Sequence, residues 1–586
     1  MRAAFCSPPP PPAGGGKYVD IIEKAVGAYS PERIDRYIAE VEAGGIAEHG
    51  FPRLCANLAI LLSAGKRADL KDRFLRMADI CCLSASEAYL KNGRKVGNDF
   101  SVRELCTALA ALEAAGLFPD RTPVWRAGLS ALRAEDTYSA VAREGEKPPN
   151  NWALFAAASE QARIALGFGG DPDFVDRQIA SQLFRFDENG MYIDPHAPMV
   201  YDLVSRAVSA FMLRFGYRGL HADFLREMLE RSVDLTVAEL SVDGEIPFGG
   251  RSNQMIMTEG WYAVVCEYYL SALSADDTRL GNIASCLELA SSFTRGWLAK
   301  ENFRHVKNFF PGDSDLGCEG YAYFDKYMAT LGSIYYLASL VGGDRSVSPV
   351  KRGSFALKTG PAFHKIFLSN GRIFAEFELD PDFDYDAGGL GRIQFEGAPP
   401  QIALSVPCPS SPRYTVDPDP GVPVSVCPYL TDGEKRVFAS DRGTGYELLF
   451  LGCDPYPRAV VRSSLPGGAA FTEEILLTGG RAVYRVTPAG SGNDGKESPD
   501  RERFGIALPV FAFDGKNAAE AVAGRGDISV RYRGSTLRAV SGGVTEGPLF
   551  TACNRNGRYL VYGFRSPAGT EGGPLEVEFS VAAGGK

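Results

Sequence analysis

Four short stretches concentrate the residues that could do chemistry. The first is Gly244-Glu245-Ile246-Pro247-Phe248-Gly249-Gly250-Arg251-Ser252-Asn253-Gln254, followed at once by Met255 to Tyr262. Pro247 and the glycines predict a loop in which a ligand can approach the backbone closely. The apolar run behind it predicts a helix over Gln254–Ala275. Arg251, Asn253 and Glu259 would then gather at a loop-to-helix junction beside Trp261 and Tyr262. Amides, carboxylates and a guanidinium suit sugar hydroxyls, and an aromatic plate suits the apolar face of a sugar ring. The same residues could equally serve as a helix cap with buried polar support.

The other three stretches repeat the theme. Asn150-Asn151-Trp152 follows Pro148-Pro149 and opens a helix. One amide would suffice as a cap; two amides before a Trp could also bind a carboxylate or hydroxyl. Tyr192 to Arg206 holds His196, Tyr201, Asp202 and Arg206 near the start expected at Pro198. Asp202 and Arg206, four apart, could be an ion pair on one helix face or part of a proton-transfer group. His196 is one of only 5 histidines, and a lone His is more often structural than catalytic. Finally, His305 to Leu316 leads into Glu319, Tyr321 and Tyr323, with Glu319 and Tyr323 expected on one helix face. Asp313 and Asp315 lack further ligands at metal spacing, so no metal or other cofactor is expected. The sequence has no phosphate-binding loop, dinucleotide fingerprint or nucleophile elbow.

Elements must bring these stretches together. At 586 residues the chain is too long for one ordinary core. From Tyr18 to Leu340 the pattern is helical, with Ser30-Pro31-Glu32 as a start signal, Gly44-Gly45 as a stop and Ser101-Val102-Arg103-Glu104 as a capping box. Many antiparallel helix pairs predict an α/α toroid with a funnel at one end. Near Val347 the texture changes to short alternating runs separated by Gly, Pro, Asn and Asp, which predict an antiparallel β-sandwich. The expected division is a disordered tail over 1–17, a toroid over 18–345 and a sandwich over 346–586. Ala489 to Arg503 reads as a polar loop, and Asp384 to Arg392 as a strand connector that could reach the funnel rim.

Bulk properties narrow the partners. Apolar residues make up 45% and charged residues 23% of the chain, as in a soluble globular protein. A net charge of −10 argues against nucleic acid. No run has the length and apolarity of a membrane span, and Met1 to Lys17 lacks the apolar core of a signal peptide. The 12 cysteines show no metal or disulfide spacing, and Cys81-Cys82 read as core. A cytoplasmic protein is the expectation, and nothing in the composition speaks against a homo-oligomer.

At these residues the chain resembles carbohydrate-active enzymes built as an α/α toroid plus β-sandwich, namely heparinase II/III-like proteins and the glucuronidases of glycoside hydrolase family 154. The resemblance rests on Asn150-Asn151-Trp152, Phe248 to Gln254 with Glu259, Glu319 to Tyr323, and Gly391-Arg392-Ile393 leading to Leu404-Ser405-Val406-Pro407. It implies cleavage of a glycan containing uronic acid. Lyases of this kind often carry Asn-Asn-His, whereas Trp152 stands third here, which favours hydrolysis.

The leading expectation is therefore an exo-acting hydrolase of the β-glucuronidase type, with Glu259 and Glu319 as acid and base or nucleophile and Asp202 as alternate. Arg206 and Arg251 would grip the sugar carboxylate. Asn150, Asn151 and Asn253 would fix hydroxyls, and Trp152, Trp261, Tyr321 and Tyr323 would contact the sugar. The second expectation is a lyase in which Asn151 and Arg251 neutralise the uronate and Tyr201 or Tyr323 is the base, with His196 assisting. A third is a glycan-binding protein without turnover.

Overall fold

Helices whose surfaces are apolar all round must be buried, and the sequence supplies several. The structure, a computed structural model, describes residues 7–83, 97–141, 150–418, 421–432, 435–489, 504–566 and 574–583. Its helices are α1 (Val19–Gly27), α2 (Pro31–Gly44), α3 (Gly50–Ser63), α4 (Lys71–Leu83), α5 (Asn98–Ala114), α6 (Thr122–Ser130), α7 (Ala134–Thr137), α8 (Asn150–Ala165), α9 (Pro172–Ala180), α10 (Met199–Arg214), α11 (Ala222–Arg231), α12 (Val233–Glu239), α13 (Thr258–Ala272), α14 (Leu280–Leu298) and α15 (Phe324–Val341).

Helices α3, α5, α8, α10, α13 and α15 pack against one another in that order, and α15 returns to α3. This is the closed inner ring of a toroid. The inner helices bury nearly every residue, as α13 does from Thr258 to Leu270. The outer helices bury one stripe, as α2 does with Ile34, Ile38 and Val41. Ser30 caps α2, its Oγ accepting from the Arg33 amide at 3.2 Å, and Gly45 ends it with φ 80°.

Some boundaries differ from the sequence reading. Helix α5 begins at Asn98, so Ser101 lies inside it and its Oγ donates to the Gly97 carbonyl at 3.3 Å instead of forming a capping box. Helix α15 begins at Phe324, which leaves Glu319 and Tyr323 off the helix. Within the expected tail, Ala13–Gly15 forms a 3-10 turn and Lys17 pairs with Glu267. Residues 1–6 of that tail lie outside the described residues, as do Pro148-Pro149 and residues 490–503 of the expected loop. Cys81 and Cys82 are free thiols packed in the helical core. Among the described residues no helix is long and apolar enough to cross a membrane.

The first strand follows at Phe355. Strands β1 (Phe355–Lys358), β2 (Lys365–Ser369), β3 (Ile373–Glu378) and β4 (Gly389–Phe395) form a four-stranded sheet in sequence order. An eight-stranded sheet runs from Glu520–Ala523 at one edge to Gly445–Gly452 at the other, and a five-stranded sheet from Val544–Asn554 to Lys435–Phe438. All pairs are antiparallel. The alternating burial of Ala470–Leu477 and Asp527–Tyr532 marks strands with one face on a core. That core is shared between sheets, with Phe471, Ile475 and Tyr484 meeting Ile506, Phe511 and Val561. A toroid followed by an antiparallel sandwich is thus the architecture.

The four-stranded sheet joins the two halves. Met191, Met199 and Leu235 of the helical half pack with Phe363, Phe367 and Phe374. Beside them lies a buried polar seam. Arg392 of β4 donates to the Ile246 carbonyl at 2.8 Å and pairs with Glu376 at 3.0 Å. Lys365 pairs with Glu378 at 2.8 Å, and its Nζ lies 3.3 Å from the Phe248 ring centre. The loop 244–257 is therefore gripped from the sheet side.

Candidate active site

A cavity of about 310 Å³ opens at one end of the ring. Its wall includes the N-terminal end of every inner helix: His49 and Arg53 at α3, Gly97 and Phe100 at α5, Asn151, Trp152 and Phe155 at α8, Val200 and Tyr201 at α10, Met257 and Trp261 at α13, Lys326 and Tyr327 at α15. Loop residues Arg251, Ser252 and Tyr321 complete it, with Glu48 at the edge. The inner helices run parallel around the ring, so their positive dipole ends converge on one space. Such a space favours an anion.

The centre is a short polar chain. The Tyr201 hydroxyl lies 3.2 Å from Ser252 Oγ, which lies 2.9 Å from the Tyr321 hydroxyl. The guanidinium of Arg251 sits 4.4 Å from the Tyr201 ring centre. It is held by Asp194, with which it pairs, and by the Pro195 carbonyl at 3.2 Å. Burial pushes the Asp194 carboxyl up, against the pull of Arg251. Tyr321 is 38% exposed, and desolvation of its hydroxyl end, with Tyr201 and Glu319 adding to it, raises its phenol, which is protonated at neutral pH. The Asn151 amide completes the group: its side-chain nitrogen is buried without a hydrogen-bond partner, and its backbone N–H donates to Asp194 Oδ1 at 3.4 Å.

The wall is aromatic and cationic. Trp152 meets Phe100 edge-on at 4.9 Å, and Trp261 meets Phe155 at 5.9 Å. Arg53 donates to Thr330 Oγ1 at 2.8 Å and lies 3.0 Å from His49 Nδ1. Burial, then the charges of Arg53 and Lys326, push the His49 imidazole well below its usual range. His49 is therefore neutral; with Nδ1 accepting from Arg53, its proton sits on Nε2. Behind them Glu104 Oε1 accepts from both Arg53 at 3.2 Å and Arg103 at 2.8 Å.

The expected acids lie elsewhere. Glu259 is fully buried and takes Lys307 Nζ at 2.5 Å and the Ile246 amide at 3.3 Å. Glu319 takes Arg555 at 2.6 and 3.0 Å and the Ser252 amide at 2.6 Å. Asp202 and Arg206 are both fully buried and paired at 2.5 Å, with Glu239 a further 2.9 Å from Arg206. None of these lines the cavity. Each carboxylate is consumed by a buried cation, the reason the sequence reading placed them wrongly within the funnel. His196 is exposed on the outside, 3.7 Å from Asp382. Asn150 accepts from Arg185 at 2.8 Å, and Asn253 donates to the Pro247 carbonyl at 2.8 Å; both are support for backbone and loop. Tyr323 is 41% exposed and outside the cavity wall.

Of the expected residues, then, Asn151, Trp152, Tyr201, Arg251, Trp261 and Tyr321 come together. His49, Arg53, Ser252, Lys326 and Tyr327 were missed. The one available signal was positional: each but Ser252 stands at or just inside a helix start, and Ser252 sits beside Arg251. The segment Asp384 to Arg392 approaches the loop from beneath, where Asp386 Oδ2 accepts from the Gly250 amide at 3.0 Å.

No protein-family model matches the chain, and no curated protein matches it. Among solved structures it is similar to heparinase III, at 9% identity and TM-score 0.42 over 91% of this chain and 76% of that one. It is similar to the Streptomyces coelicolor A3 chondroitin AC lyase in complex with chondroitin sulphate, at 14% identity and TM-score 0.45 over 97% and 80%. It is also similar to a mutant unsaturated glucuronyl hydrolase from Streptococcus agalactiae, at 11% identity and TM-score 0.35 over 58% and 97%.

Proposed function

We propose that the protein cleaves glycans containing uronic acid, and does so by β-elimination. The observation that carries this reading is a cavity walled by helix N-termini that offers Arg251 and a free Asn151 amide but no facing pair of carboxylates. Among the described lining residues the one carboxylate is Glu48. Its oxygens are taken by the Tyr37 hydroxyl and the Gly50 amide, each at 2.5 Å. Hydrolysis by two carboxylates needs both free and facing across the bond.

Elimination needs different groups. The uronate carboxylate enters toward Asn151 and Arg251, whose hydrogen bonds and charge stabilise the negative charge that develops as C5 loses its proton. Tyr201, as the phenolate that the neighbouring Arg251 guanidinium stabilises, takes that proton, the base role given to it in the lyase reading. The C5–H electrons form the C4–C5 double bond, the C4–O bond breaks, and the leaving oxygen gains a proton. Tyr321 is the donor held beside Tyr201 through Ser252, and the proton Tyr201 has taken returns to Tyr321 along that chain. Trp152 and Trp261 supply apolar faces for the sugar rings. Neutral His49 offers an N–H toward a hydroxyl or carboxylate.

The test is a panel of uronic-acid polysaccharides plus an aryl glucuronide. Elimination yields an unsaturated sugar whose ultraviolet absorbance rises with each cut, and Tyr201→Phe slows that rise about 100- to 10,000-fold. New reducing ends without that absorbance mean hydrolysis instead, and binding without any cleavage means a glycan-binding protein.

A further inference from the structure

We propose that Arg555, at the tip of a sandwich hairpin, is a positioning residue for the active site, setting the Tyr201–Ser252–Tyr321 chain through Glu319. The proposal rests on the elimination reading for its catalytic consequence but not for its geometry.

Ser252 is the middle member of the chain, and its φ is +58°, in the left-handed region that side-chain-bearing residues seldom occupy. Something must hold it there. Its amide donates to Glu319 Oε1 at 2.6 Å. Glu319 in turn has no freedom, because Arg555 grips both its oxygens, Nη2 to Oε1 at 2.6 Å and Nη1 to Oε2 at 3.0 Å. Such a two-pronged pair fixes orientation as well as distance.

Arg555 is itself immobilised. It lies between strands Val544–Asn554 and Gly557–Arg565, which pair tightly at Asn554 and Gly557. Its Nη1 also donates to the Gly317 carbonyl at 2.8 Å, and its guanidinium stacks 3.9 Å from the Tyr414 ring centre. Its own carbonyl accepts from Asn308 at 2.8 Å. The neighbouring Asn556 reaches the Lys307 carbonyl at 3.3 Å. A polar turn buried this deeply in the other half of the chain is a fixed plug. The line of hydrogen bonds runs from the sandwich, through one carboxylate, to the backbone of the residue that joins both phenols.

The experiment compares crystal structures and kinetics of the full-length wild type with Arg555→Met, Arg555→Lys and Glu319→Gln, with Arg558→Met on the same hairpin as control. In Arg555→Met, Ser252 is expected to leave the left-handed region and its Oγ to move beyond hydrogen-bond distance of Tyr201 or Tyr321. On a cleaved glycan, kcat falls at least tenfold with KM within about threefold, Arg555→Lys recovers part of the loss, and Arg558→Met matches wild type. An unchanged Ser252 in both the Arg555→Met and Glu319→Gln structures overturns the proposal. If wild type cleaves no glycan, the functional reading fails while the position of Ser252 still decides this one; if Arg555→Met does not fold, the Glu319→Gln structure decides it.

Discussion

At the scale of single residues, the candidate site separates into groups that hold the fold and groups held for a ligand. On the elimination reading Tyr201 belongs to the second kind. Replacing it with Phe removes one hydroxyl from a half-buried ring, so melting temperature should hardly move while kcat falls about 100- to 10,000-fold. Asn151 makes a sharper case. Its buried amide nitrogen has no partner, and an unpaired buried donor costs folding free energy instead of contributing to it. Asn151→Leu, close in volume, should change unfolding free energy by less than about 1 kcal/mol yet abolish turnover; a large destabilisation in a denaturant titration would show the amide to be structural. Both residues stood out in the sequence as polar side chains at expected helix starts, where a cap or an ion pair is an equally good use for such groups. Glu259 and Glu319 were misread for a physical reason. A carboxylate in a sequence does not reveal its partner, and theirs, Lys307 and Arg555, stand 48 and 236 positions away. His49 and Arg53 were invisible for the opposite reason, being embedded in the run that becomes α3 with no motif around them.

At the scale of elements, the loop 244–257 and the start of α10 act as one unit. The Met199 amide donates to the Gly249 carbonyl at 3.3 Å. Gly250 has φ +74°, and a Cβ there would lie 2.6 Å from Pro198 Cβ and 2.8 Å from its Cα. Pro198 is the N-cap of the helix that carries Tyr201. Gly250→Ala must therefore both strain its own backbone and push α10 away from the loop. The expected cost is about 2 kcal/mol or more, with the Tyr201–Ser252 hydrogen bond broken and activity reduced; thermal unfolding and a glycan-cleavage assay check the two parts. The glycines announced this loop from the sequence, and the change from helical to alternating pattern announced the two halves. What the pattern could not announce was the ring order of the helices, which depends on packing between segments far apart. Nor could it place the starts of α5 and α15, where Ser101 and Glu319 looked like local signals and are instead engaged through space.

At the scale of the whole molecule, the buried seam between toroid and sandwich makes stability depend on pH. Burial, opposed by Lys365 and reinforced by Glu378, pushes the Asp386 carboxyl from 3.8 up to about 7. Between those values the folded chain holds a proton that the unfolded chain has released. The stability tied to that proton is complete below pH 3.8 and is lost as pH rises through about 7. Asp386→Asn keeps an oxygen for the Gly250 amide without the ionisation. Its melting temperature relative to wild type should therefore rise between pH 5 and pH 8, and an equal difference at both would contradict the assignment. Glu239, also raised by burial beside Arg206, remains in the variant and keeps some slope. A different rule governs the mouth of the ring, where every inner helix presents its first turn. Peptide dipoles have no proton to release, so part of the pull on an anion survives into alkali, where lysine side chains go neutral. Added salt is the condition that dims it, and uronate affinity should fall with ionic strength more steeply than with pH between 7 and 9.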